Sequence, residues 1–242
     1  MIAQIIDMPI NILDTGNAPL DAPVFRLAAS NEIVPRFEFR IFGHDFVTLQ
    51  RRIRKVAPCE SIVESKEIYI LSGGRENGDR NVKIREGKLE FKRLIDRDNG
   101  LERWKPTGSL EFPIERAAIP DSLFPVSALE RKLPFPDSLT AMVTEEEFLH
   151  HIAQDSLCGP RLYRANVFKR RSRFTLQDCP VEIDWILVNG AAIESIAIES
   201  RCAEQVLAVR SALGLEQFEN VSYPLAISRI LGIQVLPDTK GS

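Results

Sequence analysis

Along much of this 242-residue chain, charged and apolar residues alternate one by one. No other feature restricts its fold as strongly. Successive side chains of a β-strand point to opposite faces, so alternation gives one face ionic groups and the other an apolar layer. In Arg36-Phe37-Glu38-Phe39-Arg40-Ile41 the charges Arg36, Glu38 and Arg40 share a face. Val82-Lys83-Ile84-Arg85 puts Lys83 with Arg85, and Leu89-Glu90-Phe91-Lys92 puts Glu90 with Lys92, the two joined by a tight turn at Glu86-Gly87-Lys88. Leu101-Glu102-Arg103-Trp104 is a shorter case. Between Tyr163 and Phe174, Lys169, Arg171 and Arg173 share a face. Val181-Glu182-Ile183-Asp184-Trp185 pairs Glu182 with Asp184, and Ile196-Ala197-Ile198-Glu199 ends in one carboxylate. The spacing thus predicts at least six strands with one ionic side.

Two arrangements produce such a pattern. An antiparallel sheet packed on one side leaves its polar face in water. A closed sheet can instead turn the ionic face inward. A wet face ordinarily mixes Thr, Ser, Gln, Lys and Glu, whereas here three strands are dominated by Lys and Arg and others carry carboxylates. Alternation alone leaves both arrangements open.

Helical spacing appears in three places. Asp45 to Val56 carries Phe46, Leu49, Ile53 and Val56; Thr144 to Ala153 opens with a capping box, Thr144 and Glu147; Arg201 to Leu213 precedes a capping Gly214. A further turn is expected around Ser222–Leu231. Residues 1–31 read as an irregular arm, 32–236 as one domain with a proline-rich connection at 113–137 between its halves, and 237–242 as a flexible tail.

The totals exclude several classes. Lys and Arg number 31 against 34 Asp and Glu, a net charge of −3. A uniformly basic nucleic-acid binder would be far more positive. No apolar run is long enough for a membrane span, and the N-terminus lacks the basic flank of a secretory signal. The four cysteines form no CxxC pair. A cytoplasmic protein with reduced thiols and no membrane partner is the expectation. P-loop, nucleophile-elbow and HExxH motifs are absent. Trp104 and Trp185 are expected to be packing residues. Arg164 and Arg170 would have to point outward for any RNA contact.

The ordered series of charged strands resembles the CYTH superfamily, the triphosphate tunnel metalloenzymes, from about Pro35 to Leu225. That group includes thiamine triphosphatases, inorganic triphosphatases, class IV adenylate cyclases and fungal-type RNA triphosphatases. Its opening ExExK strand is matched by Arg36-Phe37-Glu38-Phe39-Arg40, its paired basic residues by Lys83 and Arg85, and a strand ending in Lys by Lys92. Glu102 matches a carboxylate strand, Lys169 and Arg171 the K-x-R strand, Asp184 with Glu182 an acidic strand, and Glu199 the closing ExE pair. The LGL and SY elements at Leu213–Leu215 and Ser222–Tyr223 look like the family's closing helix region.

The resemblance implies an α+β fold, an eight-stranded antiparallel β-barrel with a charged tunnel and helices on the outside. It also implies a site. Arg40, Lys83, Arg85, Lys92, Lys169 and Arg171 would bind a triphosphate or polyphosphate. Glu38, Glu199, Asp184, Glu182 and Glu102 would hold Mg²⁺ or Mn²⁺, with Glu38, Glu199 and Lys92 central to catalysis. Hard cations prefer such oxygen ligands. The implied activity is metal-dependent hydrolysis of a triphosphate-containing compound. Two departures bear on it: Arg36 and Ala197 stand where the family has carboxylates. The alternatives are a non-catalytic polyphosphate- or nucleotide-binding module and, less favoured, a nucleic-acid or protein adaptor using the outer surface.

Overall fold

The computed structural model describes residues 34–72, 79–119, 142–154 and 162–233. The 1–31 arm, residues 120–137 of the proline-rich connection, the 237–242 tail, Gly73-Gly74 and Cys158 lie outside the described residues.

Eight strands close into one antiparallel barrel. They are β1 (Arg36–Gly43), β2 (Ser61–Ser72), β3 (Arg80–Arg85), β4 (Lys88–Asp98), β5 (Leu101–Glu111), β8 (Leu162–Leu176), β9 (Cys179–Val188) and β10 (Ala191–Ser200), in the order β1-β10-β9-β8-β2-β3-β4-β5. Closure leaves the sheet without a free first and last strand. Two short strands, β6 (Ile114–Glu115) and β7 (Met142–Val143), pair separately. The helices are α1 (Val47–Val56), α2 (Glu145–Gln154), α3 (Ala203–Ala212) and α4 (Tyr223–Ile230).

The choice left open by alternation is settled by where the apolar halves go. Phe39 and Ile41 of β1, Val181 and Ile183 of β9, and Ile196 and Ile198 of β10 point outward and pack with Ile53, Val206 and Val209 of α1 and α3. On the other flank Ile70, Val82, Ile84 and Leu89 pack with Phe148 and Ile152 of α2. Each such side chain contributes about 1.5–3 kcal/mol when fully buried. With the apolar faces under helices, the ionic faces line the barrel interior.

The local expectations hold with small shifts. The turn between β3 and β4 has Glu86 and Gly87 at φ 52° and 70°, both left-handed, as a two-residue hairpin turn requires. Thr144 Oγ1 accepts from the Glu147 N–H at 3.2 Å, and Glu147 accepts from the Thr144 N–H at 2.9 Å, closing the capping box of α2. Helix α1 starts two residues later than the spacing predicts. Asp45 is left-handed (φ 60°), and the Glu194 carboxylate accepts from the Phe46 N–H at 2.8 Å, so the cap comes from another strand. Trp104 is buried, and Trp185 stands on the outer face 43% exposed with its ring edge-on to Phe168 at 6.1 Å. Arg164 and Arg170 do point outward. Cys59, Cys179 and Cys202 are free thiols. No helix among the described residues is long and apolar enough to cross a membrane.

The largest omission from the sequence reading is β2. Its first half is exposed on both faces and its second half buried on both. Neither half therefore alternates, and the strand carries no period-2 signal.

Candidate functional site

Strand register fixes which side chains share the interior. In an antiparallel pair, residues directly opposite point to the same face. Glu38 lies opposite Glu199 on one side and Glu102 on the other, a row of three carboxylates across β10, β1 and β5. Arg171 lies opposite Asp184, and Arg173 opposite Glu182. Glu67 lies opposite Arg85, Tyr69 opposite Lys83, and Lys83 opposite Glu90. The interior thus holds all eleven residues singled out from sequence. Nine of them (Glu38, Arg40, Lys83, Arg85, Lys92, Lys169, Arg171, Glu182 and Glu199) line a cavity of about 480 Å³. Asp184 sits behind its wall, and Glu102 beside Glu38.

Arg40 is the hub of the acidic side. Its Nε donates to Glu38 at 2.6 Å and its Nη1 to Asp184 at 2.9 Å and Ser195 at 3.2 Å. Its Nη2 lies 3.4 Å from Glu182 and 3.7 Å from Glu199, and the guanidinium sits 4.6 Å from the Tyr223 ring centroid. One planar cation with fixed donors therefore serves four carboxylates from three strands. Burial pushes the Glu38 carboxyl up, but Arg40, Lys92 and Arg171 more than offset this, and the net shift is downward. Glu199 goes the other way. Burial, then the negative charges of Glu38 and Glu182, raise it to about 7 against a weaker pull from Arg40 and Lys92. Glu102 is also raised, chiefly by burial, although it accepts from Trp104 Nε1 at 3.0 Å.

A second network, absent from the sequence reading, centres on Glu67 of β2. Its side chain has no exposure. It accepts from Lys169 Nζ at 2.7 Å and lies 3.2 Å from Lys83 Nζ. Lys169 also reaches the Tyr69 hydroxyl at 2.7 Å and stands 3.6 Å from the Tyr223 ring centroid. Burial favours the neutral form of each partner. Lys169 and Lys83 nevertheless hold Glu67 well below the usual carboxylate range, whereas burial lowers Lys169 despite Glu67. The 2.7 Å contact and the cation–π geometry are those of a charged pair.

Nearer the opening the balance changes. Lys92 is exposed and makes no ion pair among the described residues. Arg36 and Arg173 are about half exposed and touch carboxylates only at 3.7 Å. Arg85 donates to Glu90 at 2.7 Å. The cavity wall contains eight Lys and Arg side chains against five Glu, and Glu67, Asp184 and Glu102 just behind it balance the remainder, so the spare cations are the ones near the opening rather than those deep inside. Deeper in, Arg171 Nε is buried 3.2 Å from Glu182 and 3.4 Å from Asp184, and the buried Ser222 Oγ makes no hydrogen bond among the described residues.

The expected metal does not fit this arrangement. The donor chemistry is right for Mg²⁺ or Mn²⁺, but Glu38, Glu199, Asp184 and Glu182 converge on Arg40, whose guanidinium fills the space between them. Glu102 is held by Trp104 and Arg97. Among the described residues no three Asp, Glu, His or Cys side chains group as a metal ion requires. Arg36, where the resemblance calls for a carboxylate, adds a further cation beside Glu199.

No family model matches the chain, and no curated protein matches it. Several solved structures are similar in fold. A conserved hypothetical protein from Pyrococcus furiosus is 16% identical over 77% of this chain and 98% of its own, with a TM-score of 0.45. A proposed adenylyl cyclase from Hippeastrum, described as having a dominant triphosphatase activity, is 11% identical over 86% of this chain and 100% of its own, with a TM-score of 0.46. A proposed adenylate cyclase from Bacillus halodurans is 14% identical over 77% and 93%, with a TM-score of 0.45. At such values a likeness says nothing about chemistry, which has to come from the side chains.

Proposed function

We propose that the barrel is a binding tunnel for a phosphate-chain anion, a triphosphate or short polyphosphate, with Arg40 occupying the position of a metal ion. The observation that carries this is the outer part of the cavity wall, where Lys92 makes no ion pair among the described residues and Arg36 and Arg173 touch carboxylates only at 3.7 Å, leaving cations for an anion. A triphosphate carries about four negative charges near neutral pH. A confined set of cations binds it far better than lone lysines in water. The exposed Lys92 and the half-exposed Arg36 and Arg173 have donors free to reach phosphate oxygens. Within this reading Lys92, Arg85, Arg36 and Arg173 contact the ligand directly. Arg40 and Lys169 neutralise the interior carboxylates and set the local field.

Lys92→Ala is the direct test, because Lys92 has no structural partner to lose among the described residues. Calorimetry should show tripolyphosphate binding weakened about tenfold, the loss of one charged hydrogen bond, with the unfolding midpoint unchanged. Undiminished affinity would remove Lys92 from the site.

The Glu199 carboxyl gives a pH signature. With its value raised to about 7, acidification from pH 8 to pH 6 removes a negative charge from the wall and tightens anion binding. Glu199→Gln should bind more tightly at pH 8 and flatten that part of the profile. The stability effect has the same sign. A carboxyl raised in the folded state contributes stability at low pH that is lost as pH rises through about 7. The variant should therefore melt higher than the parent at pH 8, and the gain should vanish toward pH 4.5.

A further inference from the structure

Independently of what the lumen binds, we infer that the first half of β2 is a docking edge for an extended, acidic segment of another protein, which adds to the barrel as a strand at the tunnel mouth. Strand register carries this. β8 pairs with β2 from Ser61 to Ser72, but β3 meets it only from Glu67 to Ile70 and turns back at Glu86-Gly87. Ser61–Lys66 therefore runs past its neighbour, and its backbone groups turned away from β8 meet no strand among the described residues. A paired strand directs half of its N–H and C=O groups to each side, so this stretch offers an incoming peptide a ladder about 20 Å long.

Exposed ladders are ordinarily blunted. The barrel has a second overhang, where β5 continues beyond Trp104, which lies opposite the first residue of β1, and that stretch carries Pro106 and Gly108. The β2 edge has neither proline nor glycine. It leaves Ile62 54% and Val63 41% exposed, β-branched residues that favour strand pairing. Main-chain bonds to such an edge supply affinity, and alternate side chains supply specificity.

The rim sets which side chains fit. Ser61 lies opposite Arg173 and Val63 opposite Arg171, so Ser61, Val63 and Ser65 face the lumen while Ile62, Glu64 and Lys66 face outward. The lumen-facing row of this half-strand is uncharged. An added strand would set every second side chain beside that row, between Arg173 of β8 and Arg85 at the end of β3, both partly exposed cations. The exposed Lys92 stands further round the same cavity. Against them are Glu60, just before the strand, and Glu90, already held by Arg85 at 2.7 Å. Outward positions of the added strand meet Ile62. The fitting partner is therefore a strand with carboxylates at alternate positions and apolar residues between them.

The test uses the full chain and a synthetic peptide of alternating glutamate and valine. Amide exchange followed by NMR should slow within 61–66 and not within 105–111, and calorimetry should give a dissociation constant below about 1 mM. Methylating the glutamate amide nitrogens blocks one edge of the peptide, and methylating the valine ones blocks the other. One set should weaken binding at least about tenfold and the other leave it unchanged, since a single edge pairs with β2. A lysine–valine peptide should not bind, and Arg173→Ala should weaken the glutamate peptide about threefold. No protection within 61–66, equal effects of the two methylations, or equal binding of the lysine peptide would overturn the inference. Sedimentation showing that the protein alone dimerises, with these amides already slowed, would also overturn it and give the edge to a second copy.

Discussion

Glu67→Gln is expected to lower the unfolding free energy by about 3–5 kcal/mol, the range for removing one partner of a buried ion pair. Glu67 is fully enclosed and faces Lys169, 1% exposed, and Lys83, 11% exposed. Glutamine keeps the shape and some hydrogen bonding but leaves two ammonium groups in the interior with no negative charge between them. The loss should be largest at acid and neutral pH and shrink in alkali, because burial already favours a neutral Lys169. Urea unfolding would show a lower midpoint with an unchanged slope. Adding Lys169→Met to the variant should restore part of the stability, since the charge that suffers is then gone. A loss below 1 kcal/mol at pH 7 would mean that the pair is not a charged one.

Arg40→Met should be about as damaging, and its rescue is the more informative result. Without the guanidinium, Glu38, Glu182, Asp184 and Glu199 are left facing one another, with a mutual repulsion already visible in the raised Glu199 carboxyl. A loss of about 3–5 kcal/mol is expected at pH 8, and less in acid, where carboxylates accept protons. Four oxygen-donor side chains around a vacated space also offer the ligands a hard divalent cation prefers. Manganese at a hundred times its dissociation constant would then return about 2.7 kcal/mol. The parent protein, whose carboxylates are occupied by Arg40, should show no shift of melting temperature with Mn²⁺. An equal shift in both would mean that a metal binds alongside Arg40.

The alternating strands exposed most of this site in the sequence because its geometry repeats every second residue. Lys83 with Arg85, Lys169 with Arg171, and Glu182 with Asp184 share faces by spacing alone, and barrel closure turned those faces inward. What stayed hidden depended on contacts between distant segments. Glu67 and Tyr69 sit on β2, which is wet on both sides in its first half and dry on both in its second, so its pattern resembles neither a surface strand nor a buried one. Tyr223 lies 39 residues from the Asp184 carboxylate it donates to, and no local spacing links a short helix to a barrel lumen. The carboxylates were legible as a group, but their role was not. Barrel closure, not local spacing, puts Arg40 among them at 2.6 to 3.7 Å.

Titration of the protein with inorganic tripolyphosphate in EDTA, then in Mg²⁺ and Mn²⁺, with phosphate release followed in the same samples, bears most directly on the central claim that Arg40 stands in for a metal in a phosphate-binding tunnel. Full binding in EDTA, no gain on adding metal and no phosphate release is the predicted result. Binding that appears only with metal, or metal-dependent phosphate release abolished by Glu38→Gln, would contradict it.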